Sequence, residues 1–456
     1  MTTRPAIPDI SPARIVAAQV LQEVMGSLSI QAADSLNRHA AQGELRQEDV
    51  RLARTIIFGV LRYGPMLDYF YAPYLKKTPS TLDSRLRLCL QMAVYQRNYL
   101  TRIPTYAIVN ETVSLARNFF HLKQPQVGFL NAVLRQIFTR PLARKLPEGN
   151  RVGQLSVRYS MPDFTTRLLV ERFGTHKAVE VMAAVLEESE MVIRVNTLRT
   201  TPEGLTTGLT RQGFTVSPGH LLTETLVVEM GEARCSLFET PEFFNGFFYV
   251  QDEASQLVAR LVRSREGERI LDLCAAPGGK TTHLAELAGG NASITATDIS
   301  ADRLNLVREN IQRLGTMGVD VVSYGDVAGS EDVYDAVLVD APCSGAGTIR
   351  RNPEIKYRLS AAMLKRQVAR QTEALSVAAA RVRKGGGRLV YSTCSFTNEE
   401  NRQVIGRFLQ DNGEWSVQLT GEADELASLR HEDGYYRTWP AYPHLDGFEA
   451  VVLVRK

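Results

Sequence analysis

The first third of the chain shows one hydrophobic pattern, from residue 11 to about residue 138. Apolar side chains recur there every three or four positions, as at Phe129, Val133 and Ile137, which is the spacing of one face of a helix. The pattern predicts six or seven helices and no strand. We therefore expect a compact all-α domain.

The pattern changes over the next hundred residues. Residues 140–150 combine two prolines, a glycine and basic side chains, a composition typical of a linker. Two helical stretches at 164–173 and 177–187 then precede the short apolar runs VIRVN, TLVVEM and GFFYVQ, which predict strands. This region is expected to form a small α+β domain.

From residue 252 onward, apolar runs alternate with amphipathic segments. The predicted strands are 269–273, 293–298, 319–324, 334–340 and 387–393. Such alternation builds a parallel sheet with helices on both faces. The sequence thus predicts three domains, which are an all-α domain at 1–145, a small α+β domain at 151–245 and an α/β Rossmann-like domain at 246–456.

The composition is that of a globular protein. The chain has 456 residues, of which 44% are hydrophobic and 23% charged, and this length suits two to four domains. It begins without a signal-like apolar segment and contains no long apolar run, so we expect a soluble cytoplasmic protein that does not contact membranes. Its five cysteines form no Cys-x-x-Cys pair, which predicts reduced thiols and no metal site.

Positive charge is concentrated in the first third of the chain. Residues 1–150 contain 19 Lys and Arg against 10 Asp and Glu, a net charge of +9, whereas the whole chain has +3. A basic region of this kind suits a nucleic-acid-binding face or a solvated helical surface equally well.

The stretch ILDLCAAPGGKTTHLAEL at 270–287 looks at first sight like a phosphate-binding loop. That loop requires glycine at position 274, where this chain has Cys274. Without glycine there, the backbone cannot easily turn its N–H groups around a phosphate chain. A nucleoside triphosphate site is therefore not expected.

Ligands of parallel sheets bind at the carboxyl ends of the strands. Asp272 ends the first strand, and the glycines after it allow a ligand close to the backbone. Asp298 follows the second strand and can bind both hydroxyls of a ribose, or cap the next helix, a role that Ser300 can also fill. Asp326 follows the third strand and can bond an adenine amino group or hold a turn.

Together these positions outline a site for an adenosine-containing cofactor. The loop CAAPGG is not the G-x-G-x-x-G fingerprint of NAD sites. The sequence accordingly favours S-adenosylmethionine over NAD.

Two cysteines follow the last two predicted strands, Cys343 in VDAPCSGAG and Cys394 in VYSTCSFTN. Both lie in polar loops, which fits a buried structural thiol poorly, whereas Cys89 and Cys235 suit that interpretation. Methyltransferases that act on exocyclic amines usually place an aromatic side chain in the fourth-strand loop. This chain has Asp340-Ala-Pro-Cys343 there, which indicates different chemistry.

Two thiols suit methylation at carbon 5 of a pyrimidine. That carbon is too weak a nucleophile to attack a methylsulfonium until a thiolate has added to carbon 6, and a base must afterwards remove the carbon 5 proton. We expect Asp340 to bind the ring. Lys280 is expected to orient Asp340 or the ring, with a surface lysine at a helix end as the alternative. Spacing alone leaves either cysteine as the nucleophile.

At these residues the chain resembles the RNA cytosine-C5 methyltransferases of the Nop/Sun group, and most closely the bacterial Sun/Fmu type that modifies small-subunit ribosomal RNA. The similarity covers nearly the whole chain. Its motifs are DLCAAPGGKT, DAPCSGAGTIRRNPEIKY, YSTCSFTNEEN, YVQDEASQLV and the ending RTWPAYPHLDGFEAVVLVRK.

The resemblance implies a role for each site residue. Cys394 becomes the nucleophile and Cys343 the thiol that assists release, with Asp340 and Lys280 as further catalytic residues. The cofactor is S-adenosylmethionine. The residues that the resemblance assigns to it are Cys274, Ala275, Ala276, Pro277, Gly278, Gly279, Lys280, Asp298, Asp326 and Asp340.

The resemblance extends to the accessory domains. The N-terminal helices resemble the NusB-type RNA-binding domain, most clearly at GFLNAVLRQ (residues 128–136), and this favours the RNA-binding interpretation of the basic region. The middle domain is similar to the small RRM-like domain of the family. Arg194 and Asn196 are candidate RNA contacts there.

The implied function is methylation of one cytosine in 16S ribosomal RNA that is unassembled or partly assembled, with no DNA partner. The target carbon is inaccessible in a stacked duplex, so we expect a loop nucleotide or a flipped base. The same chemistry on transfer RNA is an alternative. A non-catalytic RNA-binding assembly or antitermination factor is another, although both cysteines and the cofactor loop are retained.

Overall fold

The structure is a computed structural model that describes residues 10–140, 145–419, 426–440 and 445–456. Parts of the predicted linker at 140–150 and of the closing motif lie outside these residues. The chain divides into two compact units, Met1–Leu186 with Arg351–Leu359, and Glu187–Arg350 with Ser360–Lys456. The predicted domain boundaries stay predictions.

The helices of the described residues are α1 Pro12–Gly26, α2 Ala32–Gln42, α3 Gln47–Tyr71, α4 Ser84–Tyr99, α5 Thr105–Ser114, α6 Gln124–Thr139, α7 Val152–Arg158, α8 Asp163–Val185, α9 Pro202–Arg211, α10 Pro241–Phe244, α11 Glu253–Val262, α12 Gly279–Leu287, α13 Ala301–Leu314, α14 Tyr324–Gly329, α15 Ile355–Arg358, α16 Ala361–Arg381 and α17 Arg402–Asp411. Within the described ranges, every helix is too short or too polar to cross a membrane.

The strands are β1 Met191–Val195, β2 Thr215–Pro218, β3 Thr225–Glu229, β4 Phe248–Val250, β5 Arg269–Asp272, β6 Ser293–Ala296, β7 Val319–Val321, β8 Ala336–Asp340, β9 Arg388–Thr393, β10 Trp415–Val417, β11 Tyr435–Thr438 and β12 Phe448–Arg455.

The first unit is built from helices α1 to α8 and α15. Helices α1 to α6 lie in the part of the chain whose hydrophobic pattern predicts an all-α domain, whereas α7, α8 and α15 were expected in the other two domains. The apolar faces meet in one core that includes Leu21, Ile57, Leu90 and Leu134, all without solvent exposure. Helix α8 bends at Gly174, where φ is 72°. This break separates the two helical stretches that the sequence predicts at 164–173 and 177–187.

Residues 351–359 also belong to the first unit, although they follow the Cys343 loop in the chain. Lys356 is 1% exposed, and its Nζ donates hydrogen bonds to the backbone oxygens of Arg62 and Ser160 at 2.6 and 2.7 Å. The Tyr357 hydroxyl donates to Leu61 O at 2.8 Å. Burial lowers the pKa of Lys356 well below its usual value. The segment is thus held by buried polar contacts as well as by its apolar side chains.

The second unit begins with a small antiparallel sheet in the order β2-β3-β1-β4. The three strands predicted from VIRVN, TLVVEM and GFFYVQ are β1, β3 and β4. The sequence analysis missed β2, because this strand at the sheet edge is short and mostly exposed and therefore lacks an apolar run.

The large sheet has the order β10-β12-β9-β8-β5-β6-β7, and β11 pairs with β12. The five predicted strands are β5 to β9, which run parallel, and β12 is antiparallel to β9. Because β8 lies between β5 and β9, the loops after these three strands meet at one edge. The chain reverses its direction of winding between β5 and β8, which is where such sheets bind ligands.

Candidate active site

The loop after β5 begins at a buried carboxyl group. Asp272 Oδ2 accepts a hydrogen bond from the Thr281 hydroxyl at 2.7 Å, while Oδ1 is buried without a hydrogen-bond partner among the described residues. Burial, with smaller contributions from the charges of Asp340 and Asp298, raises the pKa of Asp272 to about 7. One face of this carboxyl group is therefore open to a further donor.

Two glycines shape the start of α12. Gly278 has φ of 104°, a backbone conformation that side chains with a Cβ rarely adopt. A Cβ on Gly279 would lie 2.6 Å from a ring carbon of Tyr249, well inside van der Waals contact. The loop therefore needs glycine at both positions to bring its backbone close to a ligand and to the Tyr249 ring.

Asp298 lies after β6 and faces the same loop. Its Oδ2 is 3.4 Å from the backbone nitrogen of Ala276, and its side chain is 4% exposed. Arg303 donates to the backbone oxygen of Ala276 at 2.7 Å. The cap of α13 is Ser300, whose Oγ accepts from the Arg303 backbone N–H at 3.4 Å. The N-cap position is thus held by Ser300 and not by Asp298, whose Oδ1 accepts from the Ser300 backbone N–H at 3.0 Å.

Lys280 and Asp340 form an ion pair across the strand ends. Lys280 Nζ lies 2.7 Å from Asp340 Oδ2, and the two side chains are 15% and 31% exposed. Burial opposes the charged ammonium, but the attraction and hydrogen bond of Asp340 outweigh it, and the pKa of Lys280 is raised, with a smaller contribution from Cys394. Lys280 is therefore an oriented cation of the site, which contradicts the surface-lysine alternative.

The two predicted thiols are in contact. Cys343 Sγ and Cys394 Sγ lie 3.2 Å apart, close enough for a hydrogen bond. The contact follows from the sheet, because Asp340 pairs with Ser392 in the β8–β9 register and each cysteine follows within three residues. The hydrogen bond with Cys394 and burial raise the pKa of Cys343 well above the usual range.

A cavity of about 250 Å³ opens beside these groups. The predicted site residues that line it are Cys274, Ala275, Ala276, Pro277, Gly279, Lys280 and Asp340. Gly278, Asp298 and the two thiols lie next to these residues in the chain or the fold. Asp326 is exposed in the first turn of α14, away from the cavity lining, and its role stays a prediction.

No role was predicted for four other polar residues that line the cavity. These are Tyr249, Gln251, Asp252 and Ser255, all within YVQDEASQLV. They come after the small sheet and before β5, the first parallel strand. Because ligands are expected at the carboxyl ends of parallel strands, the sequence did not point to these residues. Their polar side chains within the motif YVQDEASQLV were the available signal.

Arg194 and Asn196 are not RNA contacts in this structure. Arg194 is 0% exposed and donates to both carboxylate oxygens of Glu286, at 3.0 and 2.9 Å, and to the backbone oxygen of Gly279 at 2.6 Å. Asn196 is 2% exposed and donates to two backbone oxygens. The expectation was wrong because both polar side chains bind partners inside the second unit, where Arg194 holds the backbone of the proposed cofactor loop.

Comparisons with known proteins place the chain in a family. The family described as 16S rRNA methyltransferase RsmB/F matches residues 259–453, the NusB family matches 11–139, and an RsmF/B-like ferredoxin-like domain matches 161–233. A Bacillus subtilis protein named probable ribosomal RNA small subunit methyltransferase B is 31% identical over 412 residues, covering 89% of this chain and 90% of that protein. The chain belongs to the RsmB/F family of methyltransferases.

Further relatives of this family match along the whole chain. The Erwinia tasmaniensis ribosomal RNA small subunit methyltransferase B is 33% identical and covers 97% of this chain and 98% of that protein. The crystal structure of PH0851 is 26% identical with a TM-score of 0.79, covering 97% of this chain and 99% of that one. The predicted fold class, with NusB-like, small α+β and Rossmann-like parts, is confirmed.

The family membership makes S-adenosylmethionine the cofactor, as the sequence analysis predicts. The residues present fit this group. The loop after β5 brings a glycine backbone to the start of a helix, Asp298 supplies a carboxylate at the end of β6, and Asp272 keeps an open oxygen beside the loop. Within the described residues, the loop after β5 is not of the type that binds a nucleoside triphosphate.

Proposed function

We propose that this RsmB/F-family methyltransferase methylates carbon 5 of a cytosine in small-subunit ribosomal RNA through a covalent bond to Cys394. The observation that supports this most is the 3.2 Å separation of the two sulfur atoms beside the Lys280–Asp340 pair. Methylation of an amine or a hydroxyl needs neither thiol. Addition to carbon 6 and removal of the carbon 5 proton need one nucleophile and one base.

Cys394 is the proposed nucleophile. Its thiolate bonds to carbon 6, the electron pair of the 5,6 double bond makes carbon 5 nucleophilic, and carbon 5 takes the methyl group. A base then removes the carbon 5 proton, the double bond re-forms, and Cys394 leaves as a thiolate. The ammonium of Lys280 lies within electrostatic reach of Cys394.

Cys343 is the proposed base. It stays a thiol at first because the hydrogen bond with Cys394 and burial raise its pKa. Once the Cys394 sulfur is bonded to carbon 6 it is no longer an anion, so the pKa of Cys343 falls and its proton passes to solvent. The Cys343 thiolate can then take the carbon 5 proton, and the reaction releases one proton overall.

The Lys280–Asp340 pair is proposed to select cytosine. The carboxyl group of Asp340, which is paired with the ammonium of Lys280, can accept a hydrogen bond from the amino group of cytosine. Uracil has an oxygen acceptor in that place, so the same carboxylate would repel it. Asp340 and Lys280 line the cavity, where they can reach a flipped base.

The cofactor residues of the sequence analysis remain our proposed binding set, from Cys274 to Lys280 with Asp298, Asp326 and Asp340. When bound, S-adenosylmethionine supplies an electrophilic methyl group. The glycine backbone of the loop allows close approach, Asp298 is suited to the ribose hydroxyls, and Arg303 holds the loop carbonyl of Ala276.

The RNA partner is proposed to be unassembled or partly assembled small-subunit RNA, because the target carbon must leave its stack. The named relatives are ribosomal RNA small subunit methyltransferases, and the basic N-terminal third supplies charge for phosphates. Domain boundaries at 1–145, 151–245 and 246–456 remain part of this proposal.

Nucleoside analysis tests the proposal. We would incubate the full chain with labelled S-adenosylmethionine and unmodified small-subunit ribosomal RNA, digest the RNA, and identify the methylated nucleoside by mass spectrometry. We expect 5-methylcytidine with the wild type and with the control Cys235→Ala, and none with Cys394→Ala. Another methylated nucleoside, or full activity of Cys394→Ala, would overturn the chemistry. Methylation of transfer RNA alone would overturn the substrate.

A further inference from the structure

One buried carboxylate lies behind both thiols. Glu400 is 0% exposed and sits between β9 and α17. Five donors bind its two oxygens, namely Ser344 N at 2.7 Å, Ser344 Oγ at 2.5 Å, Ser395 Oγ at 2.5 Å, Thr397 Oγ1 at 2.9 Å and Gln371 Nε2 at 3.1 Å. All five donors are neutral amides or hydroxyls.

Four of the five donors come from two separate loops. Ser344 directly follows Cys343, and Ser395 directly follows Cys394. The hydroxyls of these two serines also lie 3.1 Å from each other. Glu400 Oε2 accepts from both, so a single oxygen atom ties the residue after one thiol to the residue after the other.

Further bonds fix Glu400 and the two loops. The Tyr391 hydroxyl, on β9, donates to the backbone oxygen of Glu400 at 2.7 Å. Gln371 on α16 bridges Glu400 and the backbone oxygen of Pro342, at 3.1 and 3.0 Å. The neighbouring Asn401 donates to the backbone oxygens of Ser395 and Thr397 at 3.0 and 2.9 Å.

A buried carboxylate is a costly way to join two loops. Burial of a charge without a cation loses hydration that neutral donors restore only in part. An apolar side chain or a hydroxyl network would stabilise the packing at lower cost. The negative charge also lies close to Cys343, where it adds to the rise in the pKa of that thiol. The position of Glu400 therefore joins the loops of both thiols, and its charge acts on Cys343.

We propose that Glu400 is a positioning residue that holds the Cys343 and Cys394 loops in register and keeps a negative charge behind Cys343. This inference rests on the proposed function, because the proposed chemistry requires the two thiols to be held at a fixed separation. It predicts that Glu400 acts on the chemical step and not on the binding of RNA or cofactor.

Two variants separate geometry from charge. In Glu400→Gln the amide oxygen can accept from Ser344 N, and two of the three hydroxyls can rotate to accept from the two new amide N–H groups, so the register is largely kept and the charge is lost. In Glu400→Ala both are lost. The matched control is Glu399→Gln, which removes the neighbouring, more exposed carboxylate.

The first measurement needs no RNA. Alkylation of Cys343 would be followed against pH by peptide mass spectrometry in the wild type and each variant, with thermal unfolding and S-adenosylmethionine binding as folding controls. We expect the profile of Cys343 in Glu400→Gln to move to lower pH, because loss of a negative charge favours a thiolate. The profile of Glu399→Gln should match the wild type.

The second measurement is steady-state methyl transfer to unmodified small-subunit RNA. We expect kcat of Glu400→Ala to fall by about 100-fold, the effect of small misplacements of reacting groups, with KM for RNA and cofactor unchanged and with partial recovery in Glu400→Gln. An unshifted alkylation profile in Glu400→Gln, or wild-type kcat in Glu400→Ala, would overturn the inference. If Glu400→Ala does not fold, the alkylation profile of Cys343 in Glu400→Gln still tests the inference. If the wild type makes no 5-methylcytidine, the proposed function fails, whereas the alkylation profile still tests Glu400.

Discussion

Lys280 Nζ lies 2.7 Å from Asp340 Oδ2, and the other oxygen of this carboxylate accepts a hydrogen bond from the Ser392 hydroxyl at 2.9 Å. Lys280 comes from α12, Asp340 ends β8, and Ser392 precedes Cys394 by two residues on β9. One carboxylate therefore connects the cofactor loop to both strands that lead to the thiols.

Replacement of Asp340 by Asn tests the catalytic role of this carboxyl group. The amide keeps a hydrogen bond with Ser392 but removes the partner charge of Lys280 and the acceptor for the cytosine amino group. We expect the rate of methyl transfer at saturating substrates to fall by about 10²–10⁴-fold. The variant should be less stable than the wild type in thermal unfolding, because the largely buried Lys280 loses its ion-pair partner. The control Asp320→Asn, at an exposed position of β7, should retain the wild-type rate.

Replacement of Arg194 by Met tests whether this residue is structural. The change leaves Glu286 buried without its cation, which should destabilise the second unit by about 3–5 kcal/mol. Urea unfolding followed by tryptophan fluorescence reports this unit, because Trp415 and Trp439 both belong to it. Arg194→Met/Glu286→Leu should recover part of the loss. A stable Arg194→Met variant with weaker RNA binding would restore the RNA-contact interpretation.

The buried carboxyl of Asp272 should make stability depend on pH. Its pKa is raised to about 7 in the folded protein and is about 3.9 in an unfolded chain. A group whose pKa is raised on folding contributes stability at low pH that is lost as the pH rises through the folded value. Relative to wild type, Asp272→Asn should therefore gain about 2 kcal/mol between about pH 5 and about pH 8.

The same tryptophan-detected urea unfolding at the two pH values provides the check. His283, whose pKa burial lowers to about 3, changes stability in the opposite direction in both proteins and cancels in the comparison. Parallel pH profiles for wild type and Asp272→Asn would show that Asp272 does not titrate as described.

A methyl group on Gly279 should disturb the cofactor loop. In Gly279→Ala the new Cβ would meet the Tyr249 ring at 2.6 Å, and overpacking of this kind costs about 1–3 kcal/mol. We expect weaker S-adenosylmethionine binding by calorimetry, by about tenfold. The control Gly406→Ala adds a Cβ on α17 that meets nothing within 4 Å and should bind the cofactor as the wild type does. Equal affinity in both variants would remove Gly279 from the proposed binding set.

The parallel sheet and the thiol pair could be predicted from the sequence because strands such as β5, β8 and β9 are local apolar runs that alternate with amphipathic segments. The strand order then brings the Asp340 and Ser392 ends together, and the two cysteines follow. The roles of the two cysteines could not be predicted from spacing, because spacing alone allows either of them to be the nucleophile.

Other features depend on partners distant in sequence. Arg194 in a strand looks like any surface arginine until Glu286 and Gly279 are known to lie beside it. Lys356 lies in a polar motif, and nothing local shows that it is buried in the helical unit. Glu400 is one of two adjacent glutamates, and only the fold shows which of them lies behind the thiols.

The most direct test of the central claim is to trap the covalent intermediate. Cys343→Ala would be incubated with S-adenosylmethionine and unmodified small-subunit ribosomal RNA and run on a denaturing gel beside Cys343→Ala/Cys394→Ala. Our account predicts a slow protein–RNA band in the single variant, because Cys394 attacks and the base for release is missing, and no such band in the double variant. A band that persists without Cys394, or wild-type turnover by Cys343→Ala without any adduct, would contradict it.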